Sequence, residues 1–173
     1  QLQLRAQTQT RGGSAGGHLS LMLGLDSDGV PIAASPATGR PGIGPRYRAS
    51  SGNADVAAVV AYYPPVDLRQ RVGPNERFPA LDFGADRAAA ISPILYVTAD
   101  DPPTLLIHGD ADELVPLADS EILTAAFKKT GVSHELLVIE GGDHGFRNPD
   151  HRAEATAAMV AWFKRHLTLH ASD

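Results

Sequence analysis

The residues able to do chemistry begin at Gly12-Gly13-Ser14-Ala15-Gly16, which fits G-x-S-x-G. A serine in this pattern sits on a sharp strand-to-helix turn with strained backbone, and side chains two residues to either side would collide. Such a turn lifts the Ser14 hydroxyl above the sheet edge. It also aims the Ala15 N–H and the following helix N-terminus at a developing oxyanion. Ser14 is therefore the candidate nucleophile, with Ala15 and Gly13 as candidate oxyanion and substrate contacts. Five small residues also make an ordinary Gly-Ser loop, so the pattern needs partners elsewhere in the chain.

A serine nucleophile needs a base, and the base needs a group that orients it. Downstream stand His108-Gly109-Asp110-Ala111-Asp112-Glu113-Leu114-Val115-Pro116 and Gly141-Gly142-Asp143-His144-Gly145-Phe146. They supply an acid near Asp112 and a histidine, His144, in the chain order serine, acid, histidine. Asp110 reads as a turn-forming aspartate, His108 as a packed residue at a strand end, and His18 as a supporting neighbour of the elbow. A metal site from His108, Asp110 and Asp112 is the competing reading, against which the Val115-Pro116 continuation counts. Asp26-Ser27-Asp28-Gly29 resembles the start of a calcium loop but lacks its glutamate and spacing, so it reads as a plain turn. No metal or cofactor is called for. The chain has no cysteine, which excludes disulfides, thiolate zinc sites, iron–sulfur clusters and a cysteine nucleophile.

These residues have to be placed by strands and helices. Leu2 to Thr10 alternates weakly and reads as a half-exposed strand, followed by a tight glycine turn over Arg11–Gly17 and a short helix from His18 to Leu25. The stretch from Asp26 to Asp55 is rich in Gly, Pro, Ser and Ala and reads as loop. Val56 to Tyr63 is a continuous apolar run ended by two prolines, hence a buried strand. A short helix is expected around Asp86–Ala90. Thr104–His108 is a buried strand, Leu117–Lys129 a helix with Gly131 beyond its end, and Glu135–Glu140 another strand. Arg152–Leu167 is a last helix whose apolar face is expected to hold Ala153, Ala157, Val160, Phe163 (or Trp162) and Leu167. The alternation implies parallel strands in an α/β layered fold. Asp112 and His144 then fall just past strand carboxyl ends, where open α/β sheets place their sites.

At 173 residues the chain is one domain's length, and 43% hydrophobic with 20% charged residues is an ordinary globular composition. Fifteen Lys plus Arg against twenty Asp plus Glu leave a net charge of −5, so no basic face for nucleic acid is expected. No apolar run reaches the ~18 residues of a membrane span. The compartment cannot be read from the sequence.

The sequence resembles the α/β-hydrolase fold in its esterase/lipase and prolyl-oligopeptidase-like branch, nearest to bacterial carbohydrate esterases related to feruloyl and acetyl esterases. The resemblance runs from about Gly12 to Leu167. It rests on Gly13-Ser14-Ala15-Gly16-Gly17-His18, on Tyr62-Tyr63-Pro64-Pro65-Val66-Asp67-Leu68, and on Ser92-Pro93 through Asp101-Pro102-Pro103. It also rests on Leu106-Ile107-His108-Gly109-Asp110-Ala111-Asp112 to Val115-Pro116, on Lys129 to Gly131, and on Gly142-Asp143-His144-Gly145-Phe146. It implies a Ser14–His144–Asp112 triad, since the second aspartate of H-G-x-x-D is the family's acid. A serine carboxylesterase acting on short acyl or aryl esters is implied, with Tyr62, Tyr63, Phe78 and Phe83 as candidate pocket residues.

The family places its nucleophile after the fifth of eight strands, whereas here it stands at position 14. The expectation is a single domain over residues 1–173 that corresponds to about strands 5–8, the preceding strands missing. No H-G-G-type motif precedes Ser14 to supply a second oxyanion donor, a loss that can cost about 10²–10³ in turnover. The polar strand before Ser14 suits a sheet edge, and a homo-oligomer covering the incomplete sheet is expected. Two other functions stay open: a hydrolase remnant serving as a binding or merely folded module, and a prolyl-oligopeptidase-like peptidase.

Overall fold

A computed structural model describes residues 8–25, 56–74, 76 and 78–167. The start of the expected first strand and the whole of the loop with its Asp26–Gly29 turn lie outside the described residues. Four strands, β1 (Thr8–Gly13), β2 (Val56–Tyr62), β3 (Thr104–Gly109) and β4 (His134–Ile139), form one sheet in the order β1-β2-β3-β4. Every neighbouring pair is parallel. The helices are α1 (Ala15–Leu25), α2 (Ala85–Ala89), α3 (Leu117–Thr130) and α4 (Pro149–His166). This is the α/β architecture the alternation of elements implies.

The sheet is covered on both faces because its central strands are largely apolar, and β3 is buried at every position. In β2, Val59 and Ala61 join Leu21 and Leu25 of α1 and Leu123 and Phe127 of α3 on one face. Ala58 and Val60 point the other way, into a cluster with Leu105, Ile107, Ala155 and Trp162. Alternation by two thus serves two helical layers at once. Each fully buried Leu, Ile or Phe contributes about 1.5–3 kcal/mol, and Leu21, Leu106, Ile107, Leu123 and Phe127 are all at 0% exposure. β1 carries Thr8, Gln9, Thr10 and Arg11, and among the described residues it pairs on one side only, the position a polar strand tolerates.

Two expectations are corrected. β1 runs on to Gly13, and α1 starts at Ala15 instead of His18, so the glycine stretch is a strand end plus a first helical turn. Glycine is required there by close packing: a Cβ on Gly17 would lie 2.9 Å from the Tyr62 carbonyl oxygen. The buried face of α4 also differs. Ala155 and Trp162 are buried and Ala158, Met159 and Phe163 pack beside them, whereas Val160 is 40% exposed and Ala153 and Ala157 face solvent. Both stripes have helical spacing; the observed one brings Trp162, the helix's largest apolar side chain, onto the sheet.

Register levels the strand ends. Gly13 pairs with Tyr62, Tyr62 with Ile107, and Ile107 with Leu137, so the loops after β1, β3 and β4 leave the sheet at one edge.

Candidate active site

Ser14 sits between β1 and α1 with φ +53°, a left-handed value rare outside glycine. Its N–H donates to the Tyr62 carbonyl at 3.0 Å and its own carbonyl accepts from His18 N–H at 2.9 Å, which locks the turn to β2 and to the helix. A Cβ on Gly12 would stand 2.2 Å from the Gly16 backbone, so glycine is obligatory there; at Gly16 an added Cβ meets nothing within 4 Å. The steric demand expected two residues to either side of the serine therefore falls on Gly12 alone, and on Gly17 beyond the pattern. Ala15 is the first residue of α1, so its N–H has no acceptor within the helix and lies next to the serine.

Asp112 is held by its own loop. Its Oδ1 accepts the N–H groups of Leu114 and Val115 at 2.8 and 2.9 Å, which leaves Oδ2 to accept from His144 Nδ1 at 2.7 Å. The Asp112 side chain has no exposed surface while the His144 side chain is 20% exposed, so the imidazole bridges a buried carboxylate and the open edge. With Nδ1 committed to Asp112, Nε2 is the nitrogen free to exchange protons. Among the described residues the Ser14 hydroxyl makes no hydrogen bond to His144, whose Nδ1 is taken by Asp112; contacts between a candidate nucleophile and its base are often long in the absence of substrate.

The acid and base loops are joined through main chain. Ala111 N–H donates to the Gly142 carbonyl at 3.1 Å, and Gly141 N–H donates to Asp110 Oδ1 at 2.6 Å. A Cβ on Gly109 would fall 2.0 Å from the Gly142 oxygen. Asp110 is thus a brace between loops, more than the local turn former read from sequence. Behind Asp112 lies His108, fully buried, its Nδ1 against Ser120 Oγ at 2.7 Å and its Nε2 donating to the Val115 carbonyl at 2.8 Å. Burial pushes its pKa below the ordinary histidine value. It supports the turn that shapes the Asp112 carboxylate, and among the described residues no cluster of acids, histidines or cysteines could hold a metal. His18 is buried with Nδ1 at 3.0 Å from the Pro65 carbonyl, and burial lowers its pKa as well.

Tyr62 and Tyr63 line a cleft beside the elbow, and Phe78 and Phe83 are not among its lining residues. This cleft of about 390 Å³ is also lined by Gly12, Gly13, Phe146 and Arg152. Phe83 instead lies under the Arg87 guanidinium, 5.3 Å from its ring centre. Sequence reasoning missed Asp119, which is buried, accepts from Val66 N–H at 2.9 Å and pairs with Arg71, tying the chain after β2 to α3.

Comparison with known proteins agrees with this fold. Residues 4–127 match the model of the BD-FAE family. The chain is 30% identical over 161 residues to Esterase LipQ of Mycobacterium tuberculosis, covering 87% of this chain and 34% of LipQ. A truncated carbohydrate esterase from gut microbiota superposes with a TM-score of 0.64 at 30% identity, over 92% of this chain and 61% of that one. Butyrate-bound esterase 2 of the Planctomycetes species Thermogutta terrifontis gives 0.65 at 26% identity, over 94% of this chain and 57% of that one. The chain therefore spans about a third of LipQ and under two thirds of these solved structures.

Proposed function

The chain belongs to the BD-FAE family, within the α/β-hydrolase fold, and from that premise we propose that it is a serine carboxylesterase acting on short acyl or aryl esters. The observation that carries the reading is the 2.7 Å bond from His144 Nδ1 to a buried Asp112 carboxylate, level with a serine held at φ +53°. In the proposed reaction Ser14 Oγ attacks the ester carbonyl as His144 Nε2 takes its proton. Asp112 holds the imidazole in the Nδ1–H tautomer and stabilises the imidazolium. Ala15 N–H faces the developing oxyanion. The protonated His144 gives its proton to the departing alcohol, then activates the water that releases the acid and restores Ser14. The cleft of about 390 Å³ beside the elbow, lined by Gly12, Gly13, Tyr62 and Tyr63, is the proposed place for the acyl or aryl group, and the related Thermogutta esterase has been captured with butyrate.

The test is turnover of p-nitrophenyl acetate and butyrate by the protein and by Ser14→Ala. The expected result is hydrolysis that the substitution abolishes; equal rates for the two forms overturn the reading. The homo-oligomer is supported by the one-sided pairing of β1 and by Leu19 and Leu23 of α1, 57% and 58% exposed. Light scattering that reads a monomer at every concentration removes it.

A further inference from the structure

Tyr63 follows β2 with φ +36°, a left-handed conformation that a bulky side chain adopts only where its surroundings impose it. Its N–H donates to the Ile107 carbonyl at 2.8 Å, so the backbone is anchored on β3. From there the ring reaches His144, at 4.5 Å between ring centres and 54° between planes, and is backed edge-on by Phe146 at 5.2 Å and 76°. Its hydroxyl ends at the elbow: a Cβ on Gly13 would stand 2.8 Å from the Tyr63 oxygen and 3.1 Å from Cε2. One side chain therefore touches the imidazole at one end and the residue before Ser14 at the other.

A single hydrogen bond at Nδ1 fixes one point of an imidazole and leaves the ring free to swing about that bond. A wall against the ring face removes the swing and sets where Nε2 points. We propose that Tyr63 is a positioning residue that directs His144 Nε2 toward Ser14, and that position 13 is glycine because the Tyr63 hydroxyl occupies the space of its side chain. This rests on the esterase reading above for its kinetic consequence, though not for its geometry.

The experiment compares Tyr63→Gly, Tyr63→Phe, Gly13→Ala and the Gly13→Ala/Tyr63→Phe pair, with the NMR signal of the His144 Nδ1 proton read beside kcat and KM. Glycine suits the left-handed backbone, so Tyr63→Gly removes the ring without adding backbone strain. It is expected to lower kcat about 10²-fold, the scale of an ångström of misplacement, with the Nδ1 proton signal broadened or lost. Tyr63→Phe keeps the ring and recovers most of that rate and the signal. Gly13→Ala alone loses rate, and pairing it with Tyr63→Phe, which deletes the nearest colliding atom, restores a large part. A folded Tyr63→Gly protein with the parent kcat and proton signal overturns the proposal, as does a Gly13→Ala loss that Tyr63→Phe leaves untouched. If Ser14→Ala hydrolyses ester as fast as the parent, the esterase reading fails. The proton signal then decides Tyr63 separately: kept in the phenylalanine form and lost in the glycine form supports positioning, and kept in both refutes it.

Discussion

Replacing Gly109 by alanine tests whether the acid and base are held by their backbones. The added Cβ would lie 2.0 Å from the Gly142 oxygen and 2.3 Å from its carbonyl carbon, and neither is the tip of a flexible side chain. To reach ordinary contact the two loops must part by about 1.4 Å. Asp112 is three residues beyond Gly109 and His144 two beyond Gly142, so that opening passes to the pair. A bond of 2.7 Å stretched by this amount approaches about 4 Å, past the limit of about 3.2 Å for a hydrogen bond. The expected fall in kcat lies between about 10²-fold, for misplacement by an ångström, and about 10⁴-fold, for an imidazole left without its orienting carboxylate. Overpacking also removes about 1–3 kcal/mol of stability. Turnover of p-nitrophenyl butyrate, with urea unfolding on the same protein, measures both. Gly84→Ala is the control, because a Cβ there meets nothing within 4 Å. A folded Gly109→Ala protein with kcat within about threefold of the parent would refute the claim that main-chain contact sets the pair.

Within the G-x-S-x-G pattern, Gly12→Ala is expected to abolish activity or folding, while Gly16→Ala is tolerated in both, since only the first would drive a Cβ into backbone; equal damage from the two, by turnover and melting, contradicts this. Asp119→Ala strips Val66 N–H of its acceptor and Arg71 of its partner, which should cost about 1–3 kcal/mol in urea unfolding; a change under about 0.5 kcal/mol, the range of plain surface substitutions, counts against it. Burial lowers the pKa of both His18 and His108 below 6.5, so the unfolded chain binds more protons just below that value. The stability contributed by the neutral imidazoles is complete above pH 6.5 and is lost as pH falls through their folded values, at up to about 1.4 kcal/mol per pH unit for each. Unfolding free energies that do not fall between pH 7 and 5 would refute it, and His108→Gln should flatten part of the slope.

Ser14, Asp112 and His144 were legible because each sits in a short motif whose constraints are local: a glycine elbow, a strand-end aspartate, a histidine between glycines. The strands were legible because β2 and β3 are mostly apolar runs, one ended by Pro64-Pro65 and the other opened after Pro102-Pro103. What escaped depends on contacts across the chain. Asp119 looks like one more acid in a first helical turn, yet it accepts from a backbone amide 53 positions away. The face of α4 was misjudged because apolar residues occur at two helical phases, and only packing on β2 and β3 chooses Ala155 and Trp162 over Val160. The steric demand on Gly109 leaves no mark in the sequence because the residue it must approach, Gly142, belongs to the next loop.

Taken together these contacts divide the site into two pieces. Asp112 and His144, the proposed acid and base, form one, knitted by Ala111 N–H on Gly142, Gly141 N–H on Asp110 and the Gly109–Gly142 approach. Ser14, the proposed nucleophile, forms the other, tied to β2 through its N–H on the Tyr62 carbonyl. Between them the contacts run through the end of β2, where Tyr63 is anchored on Ile107 and lies against both His144 and Gly13. The bond that is not closed, Ser14 hydroxyl to His144, falls at this join, where side chains and not main chain carry the geometry. Changes inside the acid–base piece should therefore break the Asp112 bond itself, whereas changes at the end of β2 should let the imidazole swing on that bond, broadening its Nδ1 proton signal and loosening its reach to the serine.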